Sequence, residues 1–207
     1  MADLHMIDQK SRPRAADARA AMVALPLLLL LAAVAPAADK VAPREVADAD
    51  IDRAMGELTR FLYAQQGKNG HWRHSHQVPS GGATAIALYA LLEAGEYPSD
   101  ERITKGIDAL VARKTDNLYV RCVRTMVLAQ AGRKEPWRRQ LAADVAWLTK
   151  GARRHGAWGY AGPERTGDNS CSQFALLALW EADRAGAEVD PYLIRAVEKT
   201  WLARQRR

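Results

Sequence analysis

The sequence predicts an all-α protein built from helical hairpins, and three observations carry that expectation. From residue 51 onward, apolar residues recur at helical spacing and never settle into strand alternation. Helices that are apolar on nearly every side alternate with helices that are apolar along a single stripe. The segment ALYALLEA at residues 87–94 returns 88 residues later as ALLALWEA at residues 175–182, identical at six of eight positions.

The first helix is expected from Ile51, Met55, Leu58 and Leu62, with Asp48 or Asp50 capping its start and Gly67 closing it. Residues 83–94 are apolar all round and need cover on most sides. Residues 100–113 carry Ile103, Ile107, Leu110 and Val111 on one stripe, with Ser99 or Asp100 as cap. Residues 118–131 are again dominated by apolar side chains, whereas 136–150 return to one stripe through Trp137, Leu141, Val145 and Leu148, with Pro136 suited to a first turn. Residues 169–184 hold FALLALW and require burial, and 191–204 show Ile194, Val197 and Trp201 on one side. This alternation predicts an inner layer of all-round helices and an outer layer whose charged sides face water. Connections from inner to outer helices are short and end in Gly95, Gly132 or Gly186, whereas the loops at 67–82 and 151–168 are long and precede inner helices.

Ahead of the helices, Arg12, Arg14 and Arg19 flank an apolar or small segment at residues 20–38 that ends in Ala35-Pro36-Ala37. A basic flank, a Leu-rich centre and a small-x-small ending predict a secretory signal peptide over residues 1–37, followed by a linker at 38–50 and the repeat domain at 51–207. Export to the periplasm or cell envelope follows; the alternative is membrane anchoring by residues 20–38. The first 37 residues hold four basic and three acidic side chains, so the charge beyond them is +5 against +6 for the whole chain. The basic residues are scattered, with no stripe of Lys and Arg interleaved with aromatics, which argues against nucleic acid as a partner. Cys122 and Cys171 are too few for a disulfide-built scaffold; they pair in an exported chain or serve as small buried hydrophobes.

The 88-residue return has a companion. Asn69-Gly70-His71-Trp72 matches His155-Gly156-Ala157-Trp158 at an offset of 86, and residues 125–132 form a degenerate middle copy without the Trp loop. The implied unit is a helix pair of forty to fifty residues, the period of α-solenoids and toroids. The pattern Q-x-x-x-G-x-W, present as Gln66-Gly67-Lys68-Asn69-Gly70-His71-Trp72, resembles the prenyltransferase and squalene-oxidase repeat of the α/α toroid proteins, which include terpene cyclases and the β subunits of protein prenyltransferases. The segment at 167–179 looks like that of exported planctomycete-type proteins in which such repeats precede a domain of unknown function. The resemblance implies an incomplete α/α toroid-like array: about seven helices in an open arc, completed by another protein chain or a missing C-terminal domain. It implies no chemistry directly. The D-x-D-D acid of squalene-type cyclases is approached only by Asp48-Ala49-Asp50-Ile51-Asp52, which reads as a helix start. Of the Asp, Cys and His that hold zinc in protein prenyltransferases, Asp168 and Cys171 match loosely, one residue too far apart, and no His follows on a further inner helix.

The candidate ligand-binding residues are therefore Trp72, Trp158, Tyr160, Arg121, Arg124, Asp168 and Gln173, and no catalytic residue or cofactor is assigned. Trp72, Trp158 and Tyr160 offer a stacking platform for a lipid or glycan; the alternative, which fits the family better, is that each Trp plugs the gap between neighbouring hairpins. His71, His74 and His76 are close enough to consider as metal ligands, but their spacing matches no zinc pattern. Asp168 reads as an N-cap, and with Gln173 it would border any site. Arg121 and Arg124 interrupt an apolar helix, so each needs an acidic partner, either Asp168 or Glu93, or else an anionic ligand. The expected function is a non-catalytic binding or scaffold module that holds a protein, or a hydrophobic or anionic small ligand, in the concavity of the inner face; the alternative is a fragment or subunit of a terpene-cyclase-like or prenyltransferase-like enzyme acting on an isoprenoid.

Overall fold

The apolar periodicity is realised as seven helices in the computed structural model, which describes residues 46–73, 79–132, 134–152, 156–160 and 167–205. They are α1 (Asp48–Gln65), α2 (Gly82–Glu93), α3 (Glu101–Val111), α4 (Leu118–Ala131), α5 (Glu135–Ala152), α6 (Asn169–Arg184) and α7 (Pro191–Gln205), with no strand among the described residues. The expected leader and its alternative as an anchor lie outside those residues. Among them, no helix is long and apolar enough to cross a membrane. Helix α1 begins at Asp48, inside the stretch expected as linker.

Local chemistry sets the helix starts. Asp100 accepts from the amides of Arg102 and Ile103, Asn117 from Val120, and Asp168 from Cys171, so three helices open on a side-chain cap. At α1 neither expected acid is the cap. Ala47 holds that position, and Asp50 reaches back to the Ala47 amide at 3.4 Å.

The helices form two rows. Helix α4 packs most extensively on α6 and then on α2, which places the three all-round apolar helices side by side. Helix α3 packs on α2, α4 and α5, and α5 on α4, α6 and α7, so the one-faced helices form the second row. Contacts at both ends show that the inner helices run parallel: Tyr119 at the start of α4 meets Ser170 at the start of α6, and Gln130 near the end of α4 bonds Glu93 at the end of α2. The core between the rows is closed by Leu88, Leu91, Ile103, Ile107, Leu110, Met126, Leu148 and Leu179, all nearly inaccessible to water.

Two outer helices depart from the expected stripes. In α1, Ile51, Met55, Leu58 and Phe61 are exposed, and only Leu62 and Tyr63 pack against the core. Helix α1 packs on α2 and, through Tyr63 beneath the Arg102 guanidinium at 3.6 Å, meets the start of α3, so its close contacts with these helices gather toward its last turn. In α7 the buried residues are Leu193 and Val197, with Trp201 partly buried, while Ile194 is exposed. Spacing of i, i+4 aligns Leu193 with Val197 on one face, and that turns Ile194 toward water.

The two Trp loops repeat their geometry bond for bond. The Trp72 indole donates to the Leu62 carbonyl at 2.7 Å, and the Trp158 indole to the Leu148 carbonyl at 2.8 Å. The Trp72 amide donates to Thr84 Oγ1 and the Trp158 amide to Ser172 Oγ, at 3.2 and 3.1 Å. Each loop reaches this position through a glycine pressed against an outer helix. A Cβ on Gly70 would stand 2.6 Å from the Lys105 carbonyl oxygen, and one on Gly156 would stand 2.6 Å from that of Ala196, with φ of 82° and 59°. Each indole thus ties its loop back to the helix before it, and each hydroxyl ties the loop to the helix after it. Truncation of Trp158 to Ala is expected to cost about 3–5 kcal/mol through cavity formation. Trp158→Phe is expected to cost about 1–3 kcal/mol, because the buried Leu148 carbonyl loses its donor. Urea midpoints of the two variants measure both.

Candidate functional site

The indoles proposed as a stacking platform face inward. Trp72 is 5% and Trp158 1% exposed, and both N–H groups are satisfied internally, so neither ring offers a face to a ligand. They occupy the gaps between hairpins. Tyr160 is different: it is 58% exposed and its ring lies 5.7 Å from that of Tyr119, which in turn meets Phe174 edge-on at 5.1 Å.

Arg121 and Arg124 find their partner on α5, and it is neither of the acids anticipated from the sequence. The Arg124 guanidinium donates to both oxygens of Asp144, at 2.7 and 2.8 Å, while Arg121 reaches the same carboxylate at 2.9 Å. Gln140 adds a bond at 3.1 Å. The Asp144 side chain is inaccessible to solvent and that of Arg124 is 2% exposed, so the pair lies within the core. The remaining donors are used on backbone. Arg124 Nη1 holds the Arg113 carbonyl and Arg121 Nε the Thr115 carbonyl, both at 2.8 Å, which fixes the connection from α3 to α4. Arg121 also lies over the Trp147 ring at 4.5 Å. Every strong donor of Arg124 is thus met by the protein, and the two arginines serve the fold.

Asp168 caps α6 and also accepts from the Ser170 hydroxyl, which bonds Tyr119 Oη at 2.8 Å. The Ser170 hydroxyl and the Cys171 amide hold the Asp168 carboxyl below its ordinary value. The arrangement orients the Tyr119 hydroxyl beside an aromatic corner. Gln173 is exposed on the same helix, one turn before Leu177. Cys122 and Cys171 are both buried and not joined in a disulfide; the Cys171 thiol meets Tyr119 Oη at 3.6 Å, and burial pushes the Cys122 thiol up. His74 and His76 lie outside the described residues. His71 sits over a small cleft, where burial and then the Arg113 charge hold its imidazole below the ordinary value. Among the described residues no three His, Cys, Asp or Glu side chains converge on one point.

One further feature brings the inner helices into relation. Ile86, Ala90 and Glu93 on α2 and, between the exposed ends of α6, Gln173, Leu177 and Trp180 are exposed, at i, i+4 and i+7 on each helix. Helix α4 lies between them, covered except for part of Tyr119, Arg121, Ala129 and Gln130. Tyr89 has its phenol pushed up to about 12 by burial and by Glu93, with Glu181 of α6 contributing from across α4. The apolar character of these stripes was visible in the sequence. Asp144 was visible too: it falls on the stripe of Leu141, Val145 and Leu148, where an acid is out of place unless a cation meets it.

Removal of the buried charge is expected to be severe. Asp144→Asn leaves the buried Arg124 without a carboxylate and Arg121 with only the exposed Asp116, and it is expected to cost about 3–5 kcal/mol, read as a lowered urea midpoint. Alkali provides a second measurement. Tyr89 ionises near 10 in the unfolded chain and near 12 in the fold, so its contribution to stability is complete below pH 10 and is lost as pH rises through 12. The decline in urea midpoint over that window is expected to be shallower in Tyr89→Phe than in the parent chain. No family model, curated protein or solved structure matches the chain.

Proposed function

We propose that this chain is an exported, non-catalytic α/α repeat module that binds a partner protein through the face of its inner helices. The observation that carries the reading is the pair of exposed stripes flanking α4. Ile86 on α2 is 60% and Trp180 on α6 51% exposed, Leu177 lies about one turn before Trp180, and Tyr89, Tyr119 and Phe174 of the three helices are half-buried. Apolar and aromatic side chains gathered on one face mark binding surfaces more often than scattered ones do. Glu93 and Glu181 lie at the C-terminal end of this face, so a partner with apolar anchors and a basic rim fits it best. The doubled Trp clamp supports membership in the α/α toroid group, with the inner row as a curved wall. The basic, Leu-rich and small-x-small leader supports export.

The non-catalytic part of the proposal rests on how the polar groups are used. Arg121, Arg124 and Asp144 satisfy one another, and Asp168 caps α6, so the conspicuous charged residues of the inner row already have structural partners. A photoreactive residue at Leu177, in the chain produced in its own host, is expected to yield one discrete cross-linked protein species. The same residue at Lys199 on the outer face of α7 is expected to yield none. Equal labelling from both positions, or none from Leu177, would discard the binding face. Turnover of farnesyl diphosphate or squalene by the purified chain would replace it with the enzymatic alternative.

A further inference from the structure

The first Trp loop encloses a cleft of about 300 Å³ between itself, the start of α2 and the end of α3. Arg73, Arg113, His71, Asn69, Thr84 and Gly81 are among its lining residues, and no carboxylate lines it among those described. Its chemistry is cationic. Arg113 Nη1 donates to Ser80 Oγ, but Arg113 Nε is buried without a hydrogen-bond partner. A guanidinium N–H withdrawn from water and left unmet is costly, and a charged acceptor is the strongest partner it can find. Neither Arg113 nor Arg73 has an ion-pair partner among the described residues, whereas Arg121 and Arg124 are fully engaged.

Comparison with the second Trp loop isolates what is special about this one. Both loops share the indole-to-carbonyl bond, the amide-to-hydroxyl bond and the pressed glycine. At the second loop the following helix is capped by the Asp168 carboxylate. At the first loop the cap position is Gly81, which has no side chain, and the amides of Ala83 and Thr84 meet no acceptor among the described residues. A Cβ at Gly81 would stand 3.0 Å from Arg113 Cδ, so the missing side chain is also what leaves room beside the guanidinium. The repeat therefore presents the same frame twice, once with its own anion and once with space and positive charge in its place.

The cation is also held in position. Arg124 Nη1 fixes the Arg113 carbonyl, and that bond connects the cleft to the buried Asp144 carboxylate. With its backbone held there and Nη1 bonded to Ser80 Oγ, the guanidinium loses less freedom when a ligand arrives. We infer that this cleft binds a tetrahedral oxyanion, the phosphate or sulfate group of a small ligand, with Arg113 and Arg73 as cationic contacts and the first-turn amides of α2 as donors. The volume accommodates a free oxyanion with waters or a phosphorylated head group.

The test titrates the full chain with inorganic phosphate at low ionic strength and follows both heat and the His71 imidazole resonances, assigned through His71→Gln. Saturable binding is expected, together with a rise in the His71 pKa, because an anion offsets the Arg113 charge that depresses it. Arg113→Gln is expected to weaken binding at least tenfold. Arg73→Gln, at an exposed position that does not support the fold, is expected to weaken it several-fold and keeps the test decisive if the first variant unfolds. Glucose 6-phosphate binding more tightly than inorganic phosphate identifies the oxyanion as the end of a larger ligand, and tighter binding of inorganic phosphate identifies the free ion. Binding that does not saturate, or that is unchanged in Arg73→Gln and in folded Arg113→Gln, overturns the inference.

Discussion

Helix α4 is the member of the inner row with an inner neighbour on each side, and the whole arrangement depends on its burial. A helix so placed would ordinarily be purely apolar, yet α4 carries Arg121 and Arg124. Their burial is possible because one carboxylate, Asp144, arrives from α5 with both oxygens in use. The desolvation cost of three ionised groups is offset only when the geometry is good and the leftover donors are met, and here backbone carbonyls at 113 and 115 complete the set. The ion cluster therefore does two things at once. It joins an inner helix to an outer one, and it determines the path of the connection that delivers Arg113 to the first Trp loop.

Much of this fold was legible in the sequence, because repetition multiplies weak signals. The offset of 86 between Trp72 and Trp158 becomes, in three dimensions, the same indole bond to Leu62 and Leu148, which are themselves 86 apart. The assignment of inner and outer helices followed from all-round against one-sided apolarity, and the packing of α2, α4 and α6 in one row follows that pattern. Helix-end details were less accessible. A cap depends on one torsion angle, so Asp48 and Asp50 looked equivalent to a cap at Ala47, and a rotation of α7 by one residue exchanged Ile194 for Leu193.

The candidate site was legible in its residue types and not in its pairings. Two arginines on an apolar helix announced that an acid was needed, but periodicity cannot say which of several acids arrives. The expected partners, Asp168 and Glu93, lie at ends of inner helices, whereas Asp144 lies in the middle of an outer one. Arg113 gave no sequence signal at all. Its significance comes from an unmet N–H, a side chain missing at Gly81 and a bond from Arg124, all of which exist only once the chain is folded. Likewise periodicity predicts that the apolar stripe of α1 wants a neighbour, yet among the described residues only Leu62 of the four expected positions packs against the core.

The reach of the Trp clamps bears on how the molecule assembles. Each indole binds a carbonyl only ten residues earlier, and each loop amide binds a hydroxyl twelve or fourteen residues later. Closing so short a span costs little chain entropy, while the docking of α4 against α6 joins residues some fifty apart. The two corners can accordingly form as independent local units, with the inner row zipping together afterwards, so that order spreads from repeat to repeat along the chain.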